Sequence, residues 1–479
     1  MGLPWGVRAL GEGGRPSGRP GQPAAGAPFD APASAGVWEA ATGPGHCPGP
    51  PLPHREPQCR LDHVGPRRCP GGGAREGGAL SAREGLAAPD AAPVAGGGNA
   101  GGPNGCPGGR PGGPAARRGG EAVASLVEHG GLDPEEARSL GLEPSSVLDL
   151  SQNLAPLPPP EAVRRAIASC DYGPYPAASY RRLREALAER HGLGPEWCLP
   201  TNGAAEAIFL SCRALLSPGD RVLVMTPTFG EYERAARLCG AQVVSAPARA
   251  ENGFRWDVEA VCRQARGLRP QLLFLCCPNN PTGVYLGREE VEALAQALGG
   301  GVLVLDEAFV DFVEDGWDSV ELARSGRVLA LRSLTKAFAL AGLRLGYALG
   351  RPELLERLRA HQPPWSVNAF AVAAGVACAV AWDHLSQVRC AVARARGALV
   401  EGLRGLGMPV LEGAANFVLA QVGEAKSFRR RLLLRGVCVR DCTSFGLPAH
   451  VRVAVPPREQ VPRVVEAFAA TLRESGRSP

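Results

Sequence analysis

Lysine is nearly absent from this chain: of its 52 lysine and arginine residues, only Lys336 and Lys426 are lysines. Both residue types serve as surface charges, but a guanidinium stays protonated, whereas an ammonium can lose its proton and condense with a carbonyl. Lys336 follows the apolar run Val328-Leu329-Ala330-Leu331 and precedes Gly342-Leu343-Arg344. We interpret it as a candidate Schiff-base lysine. The open alternative is survival by chance, as for Lys426 on its polar stretch.

Long apolar runs are also missing. No segment approaches the length of a membrane span, and the opening residues lack the apolar core of a secretory signal. The net charge of +5 is small for 479 residues, and no basic run with interleaved aromatics indicates a nucleic-acid surface. We therefore expect a cytoplasmic protein without a membrane or nucleic-acid partner, whose important arginines bind a small anion.

Cysteines at metal-ligand spacing are lacking as well. Four of the 15 cysteines, Cys47, Cys59, Cys69 and Cys106, lie in the first quarter at wide and irregular intervals, unlike the paired ligands of zinc sites. Most of the others fall inside apolar runs, where a thiol behaves as a small buried hydrophobe. These observations predict a reducing compartment and no metal site.

Glycine and proline are abundant but unevenly spread, with most of the excess before about residue 120. That stretch has almost no spaced apolar face to offset the entropy of ordering, so we expect residues 1–120 to be a disordered tail. Residues 121–165 are predicted to form an N-terminal arm and part of a small domain. The large domain is placed at 166–380 and the C-terminal small domain at 381–479.

Alternating helical and strand patterns from residue 121 onward indicate a layered α/β fold. Four short apolar runs suit strands buried on both faces: Arg221–Met225, Gln271–Cys277, Val302–Leu305 and Val328–Leu331. Each run ends in a loop of polar or turn-forming residues, and ligands of open α/β sheets bind beyond the carboxyl ends of strands. After Trp365 the sequence predicts one long alanine-rich helix and then a smaller α+β domain.

Several polar groups are predicted to lie around Lys336. Asn280, in Pro278-Asn279-Asn280-Pro281-Thr282-Gly283, can donate to a phenolate oxygen, although this stretch could also be only a good turn. Asp306 ends an apolar strand, where a buried carboxylate needs a cationic partner. Ser333 and Arg344 suit a phosphate, as do the amides of Ala204 and Ala205 before an apolar helix. Together these groups describe a site for pyridoxal 5′-phosphate.

The motifs Asn-Pro-Thr-Gly, Asp-Glu-Ala, Ser-Leu-Thr-Lys and Gly-Leu-Arg-Leu-Gly resemble those of the fold-type I pyridoxal-phosphate enzymes, in the class I and II aminotransferase group. The resemblance implies a large domain with a mostly parallel seven-stranded sheet, a smaller α+β domain and a homodimer. It also implies that Lys336 binds the cofactor covalently, Asp306 pairs with the pyridine nitrogen and Asn280 bonds the ring oxygen. The resemblance also implies that Phe229 stacks on the ring and that the phosphate is held by Ala204, Ala205, Ser333 and Arg344. Tyr175 would contribute to the phosphate site of the partner subunit. Phe309 departs from the family, which commonly has tyrosine there.

Within this group the chain resembles the threonine-phosphate decarboxylases of cobalamin biosynthesis, which are similar to histidinol-phosphate aminotransferases. The likeness rests on Glu128-His129-Gly130-Gly131, Asp149–Asn153, Asp306–Phe312 and Pro364–Ala369. It implies a small phosphorylated amino-acid substrate and the decarboxylation of L-threonine O-3-phosphate, with the aminotransferase reaction as the alternative. The implied substrate ligands are Arg452 for the carboxylate and His129 and Arg440 for the phosphate, with Asn153 nearby.

The sequence leaves three alternatives open. Arg440 could instead form a surface ion pair with Asp441, and His129 could be an ordinary loop or core histidine. The chain could also be a regulator built on a pyridoxal-phosphate domain, but residues 1–120 lack the amphipathic helices and basic face of a DNA reader.

Overall fold

The computed structural model of the chain describes residues 129–474. The predictions for residues 1–120, including the four cysteines there, lie outside these residues. The helices are α1 Pro134–Ser139, α2 Glu161–Ala168, α3 Arg181–Glu189, α4 Gly203–Leu215, α5 Glu231–Leu238, α6 Val258–Leu268, α7 Arg288–Ala297, α8 Val320–Arg324, α9 Leu334–Ala337, α10 Pro352–Arg359, α11 Ala369–Val380, α12 His384–Gly405, α13 Ala425–Leu433 and α14 Val461–Glu474. The strands are β1 Leu148–Asp149, β2 Cys198–Asn202, β3 Arg221–Thr226, β4 Gln242–Pro247, β5 Leu272–Cys276, β6 Val302–Asp306, β7 Val328–Ser333, β8 Leu345–Leu349, β9 Val410–Glu412, β10 Phe417–Gln421, β11 Val437–Cys438, β12 Arg440–Asp441 and β13 His450–Ala454.

A seven-stranded sheet forms the centre of the fold, in the order β2-β8-β7-β6-β5-β3-β4. Strand β8 is antiparallel to both of its neighbours, while the pairs from β7 through β4 are parallel. The prediction of an α/β fold with a mostly parallel seven-stranded sheet is confirmed. The four apolar runs found in the sequence are β3, β5, β6 and β7, each within two residues of its predicted limits.

Successive residues of these strands are buried on opposite faces of the sheet, because side chains alternate along a strand. In β5, Leu272 and Phe274 pack into one apolar layer while Leu273 and Leu275 pack into another. The first layer also contains residues of α4, α5 and α10, and the second contains residues of α6 and α7. Helices on both faces explain why these strands read as continuous apolar runs.

Two smaller sheets lie outside the central one. The antiparallel sheet β12-β13-β10-β9 is built from residues of the C-terminal part. Strand β1 pairs in parallel with β11, with Leu148 opposite Val437, so the segment before residue 165 joins the C-terminal part. The predicted domain limits, including the arm at residues 121–165, stay predictions.

The prediction of a single long alanine-rich helix after Trp365 is wrong. The structure has two helices, α11 and α12, which meet at 85° across residues 381–383. Trp382 lies in the break, where its ring centroid is 6.0 Å from that of Phe338 and 6.2 Å from that of His191. Packing of this ring outweighs the helical propensity of the alanines.

No single helix among residues 129–474 is long and apolar enough to cross a membrane. Helices α11 and α12 reach the length and apolar composition of a membrane span only when they are taken together across their bend. Within the same residues the cysteines are free thiols, and no group of three or more potential metal ligands occurs.

Candidate active site

The site lies at the carboxyl ends of the adjacent strands β7, β6, β5 and β3. The loops that follow these strands surround a cavity of about 490 Å³. With the exception of Tyr175, the side chains proposed from the sequence line this cavity: His129, Asn153, Ala204, Ala205, Phe229, Asn280, Asp306, Ser333, Lys336, Arg344, Arg440 and Arg452. The tertiary fold thus brings together residues that are more than 300 positions apart in the chain, such as His129 and Arg452.

Lys336 lies in the short helix α9, directly beyond the end of β7. Ser333 caps this helix by accepting a hydrogen bond from the Thr335 amide at 3.4 Å. The Lys336 ammonium donates to the carbonyl oxygen of Gln152 at 2.9 Å. Burial, together with the positive charges of Arg452 and Arg344, lowers the pKa of Lys336 to about 8. The uncharged, nucleophilic amine therefore forms at a lower pH than on an ordinary lysine.

Asp306, at the end of β6, is only 4% exposed. Tyr232 donates its hydroxyl to one carboxylate oxygen at 2.7 Å, and the Ala308 amide donates to the other at 2.9 Å. Burial raises the pKa of Asp306, while these two hydrogen bonds oppose the rise. A cation placed beside this carboxylate would stabilise the charged form, as the protonated nitrogen of a pyridine ring can.

Tyr232 is a site residue for which the sequence analysis proposed no role. It is fully buried, and its ring stacks on Phe274 of β5 at 5.0 Å between centroids. The sequence feature that could have identified Tyr232 is its position three residues after Phe229. Its contact with Asp306 spans 74 residues of sequence, so only the tertiary structure identifies its partner.

An anion cradle lies at the amino end of α4. Gly203 begins this helix with φ +70°, and a Cβ there would come within 2.8 Å of an Arg344 guanidinium nitrogen. A Cβ on Gly346 would likewise meet the Ala204 amide nitrogen at 2.6 Å. These glycines keep the amides of Ala204 and Ala205 open beside the Arg344 guanidinium. Free amides at a helix start together with a guanidinium suit a phosphate.

Ser333 completes the cradle from the neighbouring strand. Its hydroxyl shares a hydrogen bond of 2.6 Å with the hydroxyl of Thr335, which also lines the cavity. Thr335 was not proposed from the sequence, although it stands directly before Lys336.

The Asn279-Asn280 loop is held by a hydrogen-bond network around Asn279. This fully buried side chain accepts from Thr228 and donates to Pro227 and Thr282, each at 2.9 Å. It thereby connects the loop after β5 to the loop after β3, which carries Phe229. Asn280 accepts a hydrogen bond from Arg452 through its side-chain oxygen, so its amide nitrogen is the group that can donate to a ligand.

Two buried arginines lie on the side of the cavity formed by the C-terminal sheet. Arg452 on β13 donates to the Ser151 carbonyl at 2.7 Å, and its Nε has no hydrogen-bond partner among the described residues. Burial lowers the pKa of Arg452 to about 10. Arg440 on β12 lies opposite Arg452 in the sheet and donates to Ser444 at 2.7 Å.

Phe445 lies against both guanidinium groups, at 6.0 Å from that of Arg452 and 5.7 Å from that of Arg440. Arg440 and Asp441 are 7% and 8% exposed, so the alternative of a surface ion pair is wrong. Two desolvated guanidinium groups that face one cavity favour a ligand with more than one negative charge.

Asn153 and His129 complete the same side of the cavity. Asn153 has φ 57°, and its carbonyl accepts a hydrogen bond from Asn416 at 3.0 Å. Its side-chain oxygen is buried without a hydrogen-bond partner in residues 129–474, which leaves an acceptor for a ligand donor. His129 Nε2 lies 3.0 Å from Glu231 Oε1. This histidine lines the cavity and its side chain is 54% exposed, so it is not a core residue, while the alternative of an ordinary loop histidine stays open.

Tyr175 lies outside the cavity of its own chain. It is 77% exposed, and its ring stacks on Trp365 at 4.5 Å between centroids. This position is compatible with the expectation that Tyr175 serves the site of a partner subunit, which stays a prediction.

Helices cover both faces of this sheet, and the cavity joins a nucleophilic amine, a buried carboxylate and an anion cradle. These features define a pyridoxal-phosphate enzyme of fold type I. The groups fit the cofactor because aldehyde, ring nitrogen and phosphate each have a chemically matched partner. The sequence pattern of the family described as aminotransferase class I and II matches residues 145–468. The chain belongs to this family, and pyridoxal phosphate is its cofactor.

Individual relatives agree with this assignment. A histidinol-phosphate aminotransferase of Symbiobacterium thermophilum is 40% identical over 343 residues, covering 70% of this chain and 93% of that protein. A protein of Caldanaerobacter subterraneus subsp. tengcongensis, provisionally named threonine-phosphate decarboxylase, is 34% identical over 333 residues, covering 67% of this chain and 89% of that protein.

A solved structure shares the fold. The histidinol-phosphate aminotransferase of Sinorhizobium meliloti, in complex with pyridoxal 5′-phosphate, superposes with a TM-score of 0.66 at 24% identity. The match covers 75% of this chain and 99% of that chain.

Proposed function

We propose that this protein decarboxylates L-threonine O-3-phosphate to (R)-1-amino-2-propanol phosphate and carbon dioxide, a step of cobalamin biosynthesis. The observation that supports this proposal is the pair of buried arginines, Arg440 and Arg452, on the wall formed by the C-terminal sheet. Arg344 beside Gly203 is suited to the cofactor phosphate and Arg234 is paired with Glu231, so we assign Arg440 and Arg452 to the substrate. Threonine phosphate carries two anionic groups on one short skeleton and matches such a pair.

The proposal assigns Arg452 to the substrate carboxylate and Arg440 to the substrate phosphate. Nε of Arg452 is unpartnered, and each Nη atom has a second N–H besides the one donated to Asn280 or to Ser151, so donors remain for a planar carboxylate. Arg440 shares its side of the cavity with His129, whose ring can add a donor for phosphate oxygens. Asn153 is proposed as a further substrate ligand through its side-chain amide.

The remaining proposed roles concern the reaction itself. When bound, pyridoxal phosphate supplies a sink for the electron pair that is left on Cα when the carboxylate departs. Asp306 keeps the ring nitrogen protonated, and Asn280 donates to the ring oxygen. Phe229 covers the ring, while Ala204, Ala205, Ser333 and Arg344 hold the phosphate. Lys336 holds the proton that Cα takes up after carbon dioxide leaves.

Transamination is the alternative, because the Symbiobacterium relative is named as a histidinol-phosphate aminotransferase. The two reactions differ in the Cα bond that is held across the plane of the cofactor ring. Histidinol phosphate has no carboxylate, so in that reaction Arg452 would serve the amino-acid product instead. We favour decarboxylation because the Trp365 and His129 segments are similar to those of the decarboxylases.

An assay of purified protein with both substrates tests the proposal. We expect carbon dioxide from threonine phosphate without any added 2-oxo acid, measured by trapping labelled carbon dioxide. Arg452→Met should raise KM for threonine phosphate. Formation of glutamate from 2-oxoglutarate with histidinol phosphate as the donor, without carbon dioxide release from threonine phosphate, would replace the proposal by the alternative. We also propose that the enzyme acts as a cytoplasmic homodimer.

A further inference from the structure

Glu231 is a buried carboxylate at the wall of the cavity, with a side chain that is only 7% exposed. One of its oxygens lies 3.0 Å from His129 Nε2, and the other accepts a hydrogen bond from Arg234 Nη1 at 3.0 Å. A buried carboxylate needs such partners, because its desolvation is otherwise unfavourable. Glu231 therefore joins two cavity residues that come from different parts of the chain.

The contact with Arg234 is explained by helix stability alone. Glu231 is the first residue of α5, where a negative charge interacts favourably with the helix dipole, and Arg234 follows it at the i,i+3 position. Because Arg234 balances the carboxylate charge, the pair adds no net negative charge beside an anionic substrate.

The contact with His129 has no such local explanation. His129 stands 102 residues before Glu231, and its side chain is 54% exposed. Its ring also lies 5.8 Å from that of Phe229, so the turn that carries the proposed cofactor-stacking residue holds this histidine as well. Since Nε2 faces Glu231, Nδ1 is the ring nitrogen through which His129 can reach a ligand, and it donates to a phosphate oxygen in the imidazolium form, in which both ring nitrogens carry a hydrogen.

We propose that Glu231 is a positioning residue that orients His129 toward the phosphate of the substrate. This inference rests on the proposed use of a phosphorylated substrate. Selectivity for the phosphate then depends on the Glu231 carboxylate, which does not touch the substrate.

Equilibrium binding to the holoenzyme tests the inference, with the visible absorbance of the cofactor as the readout. Each ligand is compared with its unphosphorylated form: (R)-1-amino-2-propanol phosphate, which has no carboxylate to lose, with (R)-1-amino-2-propanol, and histidinol phosphate with histidinol. Glu231→Met should weaken binding of the phosphorylated ligands about tenfold and leave the unphosphorylated ligands unchanged, since one charged hydrogen-bond partner is lost. His129→Gln should have the same effect, and the double variant should be no worse than either single variant.

Glu233→Met is the matched control, because Glu233 lies in the same helix and pairs with Arg237 on the surface. It should leave all four affinities unchanged. Glu231→Gln keeps the size and one acceptor, so it should give an intermediate effect. Mass gain on borohydride treatment shows that each variant holds the cofactor.

The outcomes separate the inference from the proposed function. If wild-type protein does not prefer phosphorylated ligands, both are wrong. If it prefers them and Glu231→Met keeps that preference, only the inference is wrong. Equal weakening of phosphorylated and unphosphorylated ligands would reduce Glu231 to a structural role and overturn the inference.

Discussion

At the scale of single residues, burial acts on the two central groups in opposite directions. It lowers the pKa of Lys336 and raises the pKa of Asp306, because a desolvated site disfavours the charged form of each. The uncharged amine is what covalent attachment of an aldehyde requires. A cationic ring beside Asp306 stabilises the charged carboxylate, so cofactor binding offsets part of the cost of its burial.

The first prediction concerns the pH dependence of cofactor capture. The pKa of Lys336 is about 8, against 10.5 for an ordinary lysine. Cofactor-free protein should therefore react with pyridoxal phosphate faster as the pH rises through about 8, because the reactive amine forms there. Visible absorbance followed over time at each pH measures this rate. Lys426→Arg should not change the profile, Lys336→Ala should abolish capture, and a midpoint above pH 10 would contradict the prediction.

The same shift has a consequence for stability. Between pH 8 and 10.5 the unfolded chain binds more protons at this lysine than the folded protein does, so the stability of the cofactor-free protein should rise with pH in that window. Lys336→Met should remove this part of the pH dependence.

A second prediction concerns Tyr232, which donates to buried Asp306. Tyr232→Phe keeps the stacked ring but removes this donor, so it should lower the free energy of unfolding by about 1–3 kcal/mol. Denaturant titration measures the change. Tyr232 favours the charged carboxylate, so the difference should be present at neutral pH and shrink as the pH falls through the folded-state pKa of Asp306. A difference that does not depend on pH would contradict the assigned partner.

At the scale of elements, the site depends on loops that bind one another. Asn279 connects the loops after β3 and β5, and Gly283 in the second of these loops meets Gly413 before β10. The Ala414 amide donates to the Gly283 carbonyl at 2.8 Å. Backbone contact at this point connects the Asn280 loop to the sheet that carries Arg440 and Arg452.

The third prediction tests this contact. A Cβ on Gly413 would lie 2.4 Å from the Gly283 Cα, so Gly413→Ala must move one of the two backbones. We expect a loss of about 1–3 kcal/mol in the free energy of unfolding and a higher KM, because the loop carrying Asn280 shifts. Gly397→Ala, in the middle of α12 with open space around it, is the control and should stabilise by up to about 1 kcal/mol. Equal effects of the two substitutions would refute the role of the glycine contact.

At the scale of the whole molecule, several aromatic side chains lie on the surface near the site. Tyr172, Tyr175 and Trp365 are exposed; Tyr172 stacks on Phe370 and Tyr175 on Trp365. Exposed aromatic pairs of this kind are typical of protein interfaces. They are consistent with a homodimer in which Tyr175 serves the partner's cavity.

The fourth prediction is that two inactive variants restore activity when they are mixed. Lys336→Ala and Tyr175→Phe should each be impaired alone. A mixed dimer has one site with both wild-type residues if Tyr175 crosses the interface, so unfolding and refolding an equal mixture should recover about a quarter of wild-type activity. Turnover before and after subunit exchange is the measurement. No recovery, with mixed dimers shown by mass, would place Tyr175 outside the partner's site.

Much of this protein follows from its sequence alone. Continuous apolar runs predict β3, β5, β6 and β7, and five candidate site residues lie at the ends of these strands or just beyond them: Phe229, Asn280, Asp306, Ser333 and Lys336. These features depend on local patterns, since a strand buried on both faces requires apolar residues wherever it lies in the sheet. The rarity of lysine pointed to Lys336 for a chemical reason that needs no coordinates.

The partners of these residues were decided by tertiary structure. Tyr232 meets Asp306, Glu231 meets His129 and Arg452 meets Asn280 across 74, 102 and 172 positions of sequence. The break between α11 and α12 likewise depends on a Trp382 ring that packs against residues far away in the chain. Local propensity acts over a few residues, whereas the distances between segments far apart in sequence are set by how the layers pack. These distances determine the pKa values of the cavity residues and decide which of their polar atoms have no hydrogen-bond partner in the protein.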